Sequence, residues 1–395
     1  MSDPCTESNA GDGSSATPVT GSPLGGHGGD HTSMQRLQSF AAFDLDAGQT
    51  MAWREFRELL VAPSYRQSPG WADVERTEER WLRRRPIYSW SESEGALALT
   101  AVVLRRTLPF PGKYFYDIPK GPLFTSLDAF EEWLSWALPR MESDGVHITL
   151  APQWELGHGG DEVETILERA GFTRCRTVGG WATLILDIDT PEEAVLQSFR
   201  RQARQAIRKC QKAGMEITPD DTPVGRRAFA ALIEEMAEHT PTLEILSESA
   251  LRRASLSWFS GGKEGTLLLA RSGADVVAGA LVVKQGARAY LVSLPSSRNG
   301  SGLPTSHLIV WEAIRWAKSH GCTTFDLEGY NLMAREGDPL WGVNQFKRGF
   351  APGILPTTYV AVHEKIVRPF HNSILRLAER AREIKLIRDI SRRLP

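Results

Sequence analysis

The sequence predicts an α/β protein with mixed sheets, arranged as two related units. Residues 276–350 run in the order hairpin, loop, helix, strand, polar loop and short helix. Residues 40–187 alternate strand-period and helix-period segments in a similar style, with no letter-by-letter repeat. The longest apolar runs are strand-sized, far short of the roughly 20 residues that a bilayer demands.

The expected organisation is a disordered tail over 1–35, a first unit over 36–189, a second over 190–360, and a basic helical segment over 361–395 that packs back on the first. The tail is Gly, Ser, Thr, Asp and Pro with little to bury, and His27 and His31 lie in it as solvated residues. In the first unit, Thr50–Ala62 and Ala72–Arg84 have helical periodicity, with Trp53, Phe56, Leu60, Val74 and Trp81 on the apolar faces. Gly95–Leu108 and Lys113–Ile118 read as strands. Ser126 opens a helix to Glu142, Val146–Ala151 is a strand, Asp161–Ala170 is a helix stopped at Gly171, and Trp181–Ile188 is another strand.

The second unit is more sharply written. Phe229–His239 and Ser249–Phe259 are helices and Gly265–Arg271 a strand. Val276–Lys284 and Arg288–Leu294 are β-branched runs joined by the tip Gln285–Arg288. Pro304 and Thr305 open a helix whose Leu308, Trp311, Ile314 and Ala317 recur at three-residue intervals, and Gly321 stands where a left-handed stop belongs. Cys322–Leu327 is a short buried strand carrying Asp326. A Gly/Asp/Pro loop then leads to a short helix ending in Phe346-Lys347-Arg348-Gly349-Phe350.

With 395 residues, 41% hydrophobic, the chain is long enough for two ordinary domains. A net charge of −2 means that any polyanion site must be a local patch. Cys5, Cys175, Cys210 and Cys322 lack the spacing of a zinc ribbon or a disulfide framework, and no Ser-His-Asp pattern or metal-spaced cluster stands out. Scattered thiols and the lack of a secretory signal point to the cytoplasm, with peripheral contact at the inner membrane face as a further option.

The element order of 276–350 is that of an N-acyltransferase core. Gly279-Ala280-Leu281, Tyr290, Leu308, Trp311-Glu312-Ala313-Ile314, Trp316-Ala317, His320-Gly321, Phe325-Asp326 with Gly329, and Phe346-Lys347 with Gly349-Phe350 resemble, in order, the Fem-type (FemABX) peptidyltransferases. The resemblance runs from about Ser198 to about Pro369 and is faint before Pro191. It implies two GNAT-like acyl-N-acyltransferase units sharing a cleft. It also implies transfer of an amino acid from aminoacyl-tRNA, as co-substrate and with no further cofactor, onto a nucleotide- or lipid-linked peptidoglycan precursor in cell wall biogenesis. No heptad insertion is present, so the coiled-coil arm of some members is absent. Tyr116-Asp117-Ile118-Pro119-Lys120-Gly121-Pro122 resembles the family's aromatic-Pro-Arg-Gly-Pro turn, with Lys120 in place of Arg; a plain strand-ending turn explains it equally. Gln67-Ser68-Pro69-Gly70-Trp71 resembles the family's Gln-Ser-Trp segment. The phosphate-binding lysine that follows there is unmatched, since Glu75 and Arg76 stand here.

The transfer needs an amine held near an ester carbonyl, a proton removed and an oxyanion stabilised. Lys347 suits the last task and occupies the family's functional lysine position. Asp326, or Glu328 two residues on, is the candidate proton acceptor; a loop cap is the alternative for Asp326. Phe346, Tyr290, Arg298 and Lys120 are candidate substrate contacts. Gln197–Gly214 carries no acid and places Arg201, Arg204, Arg208 and Lys212 on one helical face, either as a solvated rim or facing phosphate. After Val362 the chain is again basic, with Ile374, Leu377, Ala381 and Ile384 as an apolar stripe that either packs on the body or meets RNA or an anionic membrane. The rival activities are acyl-CoA-dependent N-acylation of a small amine or peptide, through Ser297–Gly302 before the helix, and a non-catalytic RNA- or membrane-binding module.

Overall fold

The computed structural model describes residues 38–60, 63–77, 83–175, 182–238, 246–256, 264–297 and 302–377. The tail, Trp81, Arg298 and the C-terminal stripe residues Ala381 and Ile384 fall outside them. Residues from Leu37 onward form one compact body.

The first sheet is built from β1 (Gln38–Ala42), β2 (Arg84–Ser93), β3 (Ala96–Thr107), β4 (Tyr114–Ile118), β5 (Leu123–Phe124), β6 (Gly145–Leu150) and β7 (Thr173–Arg174). Two short strands follow, β8 (Ala182–Thr183) and β9 (Ile185–Asp187). The second sheet adds β10 (Glu216–Pro219), β11 (Gly265–Ser272), β12 (Asp275–Gln285), β13 (Arg288–Ser293) and β14 (Thr324–Asp326), and the chain closes with β15 (Thr357–Thr358) and β16 (His363–Ile366). The helices are α1 (Ala47–Glu58), α2 (Pro69–Glu75), α3 (Leu127–Asp144), α4 (Gly160–Arg169), α5 (Glu192–Ser198), α6 (Arg201–Lys212), α7 (Pro223–Ala237), α8 (Glu248–Ala254), α9 (Thr305–Ser319) and α10 (Pro339–Phe350).

The two sheets repeat one topology. The first runs β1-β2-β3-β4-β6-β16-β7 and the second β10-β11-β12-β13-β14-β9. In each, antiparallel strands lead to one parallel pair, β4 with β6 and β13 with β14, joined by a helix crossover through α3 or α9. The repetition is of topology and not of letters, so sequence reading sees it only as a style. The sheets also exchange ends. β9 pairs with β14, while β16 from beyond the second sheet inserts between β6 and β7. The segment after 361 therefore returns as a strand. Beyond it the described chain is helical over 369–377, where Phe370, Ile374 and Leu377 are exposed.

Two expected elements differ. The helix expected over Ala72–Arg84 ends at Glu75, because Arg76 turns extended and Thr77 bridges to Arg84. Arg84 then begins a long strand paired with β3 through a turn at Glu94 and Gly95, both at positive φ, the hairpin geometry that matches strand twist. The single strand expected over Trp181–Ile188 is two strands: β8 pairs with β15, and β9 joins the second sheet.

A core lies between sheet and helices in each half, with Phe130, Trp133 and Ile148 in one and Phe199, Ile314 and Phe350 in the other. A further cluster joins the halves. Tyr65, Trp71 and Val74 of the first pack against Phe229, Leu251 and Tyr290 of the second, so α2 buries its apolar face on the neighbouring half. This contact fixes the groove where the chemistry-bearing side chains meet.

Candidate active site

Three chain positions, one of them 208 residues from its partner, converge where the halves meet. The first is the end of β14. Asp326 is only 2% exposed, and its Oδ1 accepts the Thr183 hydroxyl and, at 2.7 Å, the backbone N–H of Glu328. That bond shapes a turn in which Glu328 and Gly329 have φ of 52° and 43°. A left-handed glutamate is strained, and such strain persists where surroundings over-determine it. Asp326 thus sits where the loop-cap alternative places it, buried and bonded to the turn that carries Glu328. Burial and the neighbouring Glu328 carboxylate push its pKa up to about 6.

The second position is the turn after β4. The Lys120 ammonium lies 2.6 Å from both carboxylate oxygens of Glu328, a bond across 208 residues that ties the halves together. Lys120 is 8% exposed, so it neutralises Glu328 inside the protein. Lys120 itself has φ of 50°. Gln67 holds the turn: its amide oxygen accepts the Val102 N–H and its amide nitrogen donates to the Pro119 carbonyl, each at 2.7 Å. A Cβ on Gly121 would meet that amide at 2.2 Å, which explains the glycine. Breaking a buried ion pair from one side leaves an uncompensated charge. Lys120→Met should therefore lower the unfolding free energy by about 3 kcal/mol in a urea titration, whereas a loss below about 0.5 kcal/mol would mean that the pair is solvated.

The third position is α10. Lys347 is half-buried, and its ammonium donates to the carbonyls of Glu328 and of Gly329, the latter at 2.7 Å. An ammonium has three protons; two are held by the turn, leaving one for a further acceptor. Burial pulls its pKa down to about 8, against the opposing pull of Glu328 and Asp326. Lys120, Glu328 and Gly329 also line a small recess with Gln153, Thr183 and Tyr359. Thr183 and Tyr359 were not legible as site residues, because only the pairing of β8 with β15 brings them here.

Phe346, next to Lys347, turns to another space. Its ring lies 4.8 Å from His307 and 5.2 Å from Phe350, edge to face. Phe346 and His307 line a cavity of about 250 Å³ at the start of α9, together with Ser297 and Leu303. Burial holds the His307 pKa below its ordinary value, so the ring is neutral at pH 7. Arg298 lies outside the described residues.

The remaining candidates are Tyr290, Arg204 and Arg208. Tyr290 is fully buried and donates to the Pro63 carbonyl at 2.9 Å, so it is a core post between the halves and not a surface for substrate. Arg204 is half-buried and caps α5, donating to the carbonyls of Gln197, at 3.0 Å, and Phe199. Arg208, with Arg201 and Lys212, remains exposed on α6, while Ala203, Ile207 and Cys210 face inward as the periodicity predicts.

Residues 197–348 match the family described as Acetyltransferase (GNAT) domain. Among solved structures, the chain is similar in fold to FemX, with a TM-score of 0.69 at 16% identity over 85% of this chain and 99% of that one. It is also similar to a tandem GNAT protein from the clavulanic acid biosynthesis pathway, with a TM-score of 0.51 at 14% identity over the same shares. A sequence search of curated proteins finds no match. The chain has a FemX-like fold, and residues 197–348 are similar to a GNAT acetyltransferase domain. Among the described residues, no helix is long and apolar enough to cross a membrane.

Proposed function

We propose that this protein is an aminoacyltransferase that moves an amino acid from aminoacyl-tRNA to an amine of a peptidoglycan precursor. The observation that carries this reading is the seating of Lys347: its ammonium is anchored by the Glu328–Gly329 turn with one proton to spare, at the meeting of the two halves. The amine attacks the ester carbonyl, the carbonyl oxygen takes the negative charge, and that charge meets the Lys347 ammonium. Collapse of the intermediate breaks the ester C–O bond, releases the tRNA hydroxyl and leaves an amide. Asp326 and Glu328 favour the charged form of Lys347 against the cost of burial. Arg201, Arg208 and Lys212 supply cations for the phosphates of the donor. A lipid-linked precursor would bring the reaction to the inner membrane face.

The match of 197–348 to an acetyltransferase domain favours a second reading, acyl-CoA-dependent acylation of a small amine or peptide. One experiment separates the two. The protein is incubated with a mixed pool of radiolabelled aminoacyl-tRNA and an amine acceptor. Label is expected to pass to the acceptor, RNase pretreatment to abolish the transfer, and labelled acetyl-CoA to give none. Productive acetyl-CoA with inert aminoacyl-tRNA would establish the second reading instead.

A further inference from the structure

A cavity of about 550 Å³ lies away from Lys347, between α1, the start of α2 and the tip of the β12–β13 hairpin. Its volume is that of a small-molecule site. The cavity wall includes Arg57, which is 4% exposed. The Arg57 guanidinium donates to the Ser64 carbonyl at 3.3 Å and to the Gln285 side-chain oxygen, and its Nε has no partner. These are neutral oxygens. A buried cation hydrogen-bonded only to neutral groups is costly, because Glu264 and Glu58 favour its charge without bonding it directly. Burial pulls its pKa down to about 9, so the group stays charged at pH 7.

The other cations of the cavity have partners of their own. Arg54 pairs with Glu264 at 3.1 Å, Arg76 with Asp44 at 3.3 Å, and Lys284 donates to the His320 carbonyl. The neighbour of Arg57, Glu58, is exposed at the end of α1 and has no ion pair among the described residues. The cavity thus offers Arg57, buried and without an ion pair, and at the next position Glu58, a carboxylate without an ion pair; Lys284, half-buried, is likewise bonded only to a carbonyl oxygen. A pyrophosphate would find these two cations beside a carboxylate that repels it. A small zwitterion would satisfy both groups, its carboxylate taking the guanidinium fork and its ammonium the Glu58 carboxylate.

We propose that this cavity is a binding site for a small zwitterion, an amino acid or short peptide, with the carboxylate on Arg57 and the ammonium at Glu58. The proposal concerns binding alone and does not rest on the transfer reading. The site touches both halves, since Ser64 belongs to the first and Gln285 to the second, and Tyr65, which follows Ser64, packs 5.2 Å from Tyr290 between them.

The test is calorimetric titration of the full chain with a panel of free amino acids and dipeptides. For the tightest binder, its C-terminal amide, its N-acetyl form and inorganic pyrophosphate are titrated as well. Zwitterions are expected to bind, with about 10- to 100-fold loss on amidation and about 3- to 10-fold on N-acetylation, the scale of one charge-assisted contact each. Pyrophosphate is expected not to compete. Glu58→Gln, an exposed change that spares folding, should reproduce the N-acetyl loss for the free zwitterion, and Arg57→Met the amide loss. Should Arg57→Met fail to fold, the amide and Glu58→Gln arms still decide. No binding across the panel, or binding indifferent to amidation, overturns the proposal; tight pyrophosphate binding displacing the zwitterion overturns it in favour of a phosphate site.

Discussion

Lys347→Met is expected to transfer the aminoacyl group about 100- to 1,000-fold more slowly than the wild type, the scale of losing one oxyanion partner. The fold should survive. Methionine matches the length of the lysine stem, and the carbonyls of Glu328 and Gly329 that lose a donor lie in a half-buried turn that water reaches. Circular dichroism and single-turnover rates check the two halves of this statement; wild-type turnover in the variant would remove Lys347 from the chemistry. The pH dependence adds a second readout. With a pKa lowered to about 8, the ammonium is lost as pH rises through that value, earlier than for an ordinary lysine. The acceptor amine itself gains reactivity over the same range, so the informative quantity is the ratio of wild-type to variant rates. That ratio should shrink as pH climbs past about 8. A ratio flat from pH 5 to 10 would show that Lys347 acts without its charge.

Gln67→Leu is expected to cost about 2 to 5 kcal/mol of unfolding free energy. Gln67 is fully buried, and leucine fills a similar volume while leaving the Val102 N–H and the Pro119 carbonyl without partners. Each orphaned group costs on the order of 1–3 kcal/mol. The midpoint and slope of a urea titration measure the loss, and a loss under about 1 kcal/mol would show that water replaces the amide. Because the same amide sets the Lys120 turn, the variant should also lower turnover while the enzyme is still folded. A structural role confined to the first half would leave the rate per folded molecule unchanged.

Much of the fold was legible because burial on a regular element leaves a periodic trace. The α9 stripe of Leu308, Trp311, Ile314 and Ala317 is buried as expected, Gly321 has its positive φ, and the β12–β13 hairpin turns at its expected tip. The misreadings also have physical causes. Arg84–Ser93 alternates polar and apolar residues in a way that an amphipathic helix run into it conceals, and only pairing with β3 shows it to be a strand. Of the candidate site, Lys347 carried a local signature in its Phe-Lys-Arg-Gly-Phe setting. Its surroundings did not, since Thr183, Lys120 and Tyr359 are brought to Glu328 by partners more than a hundred positions away, or by strands only two residues long.

The sequence by itself determined that this chain is α/β with a hairpin–helix–strand acyltransferase core, since periodicity, stop residues and motif order are properties of neighbours along the chain. Only the tertiary structure decided what each charged side chain does. Lys120 became a counter-ion, Asp326 a cap, Arg204 a helix end and Arg57 a buried cation without a carboxylate, because the energy of a charge depends on what folding brings within a few ångströms of it.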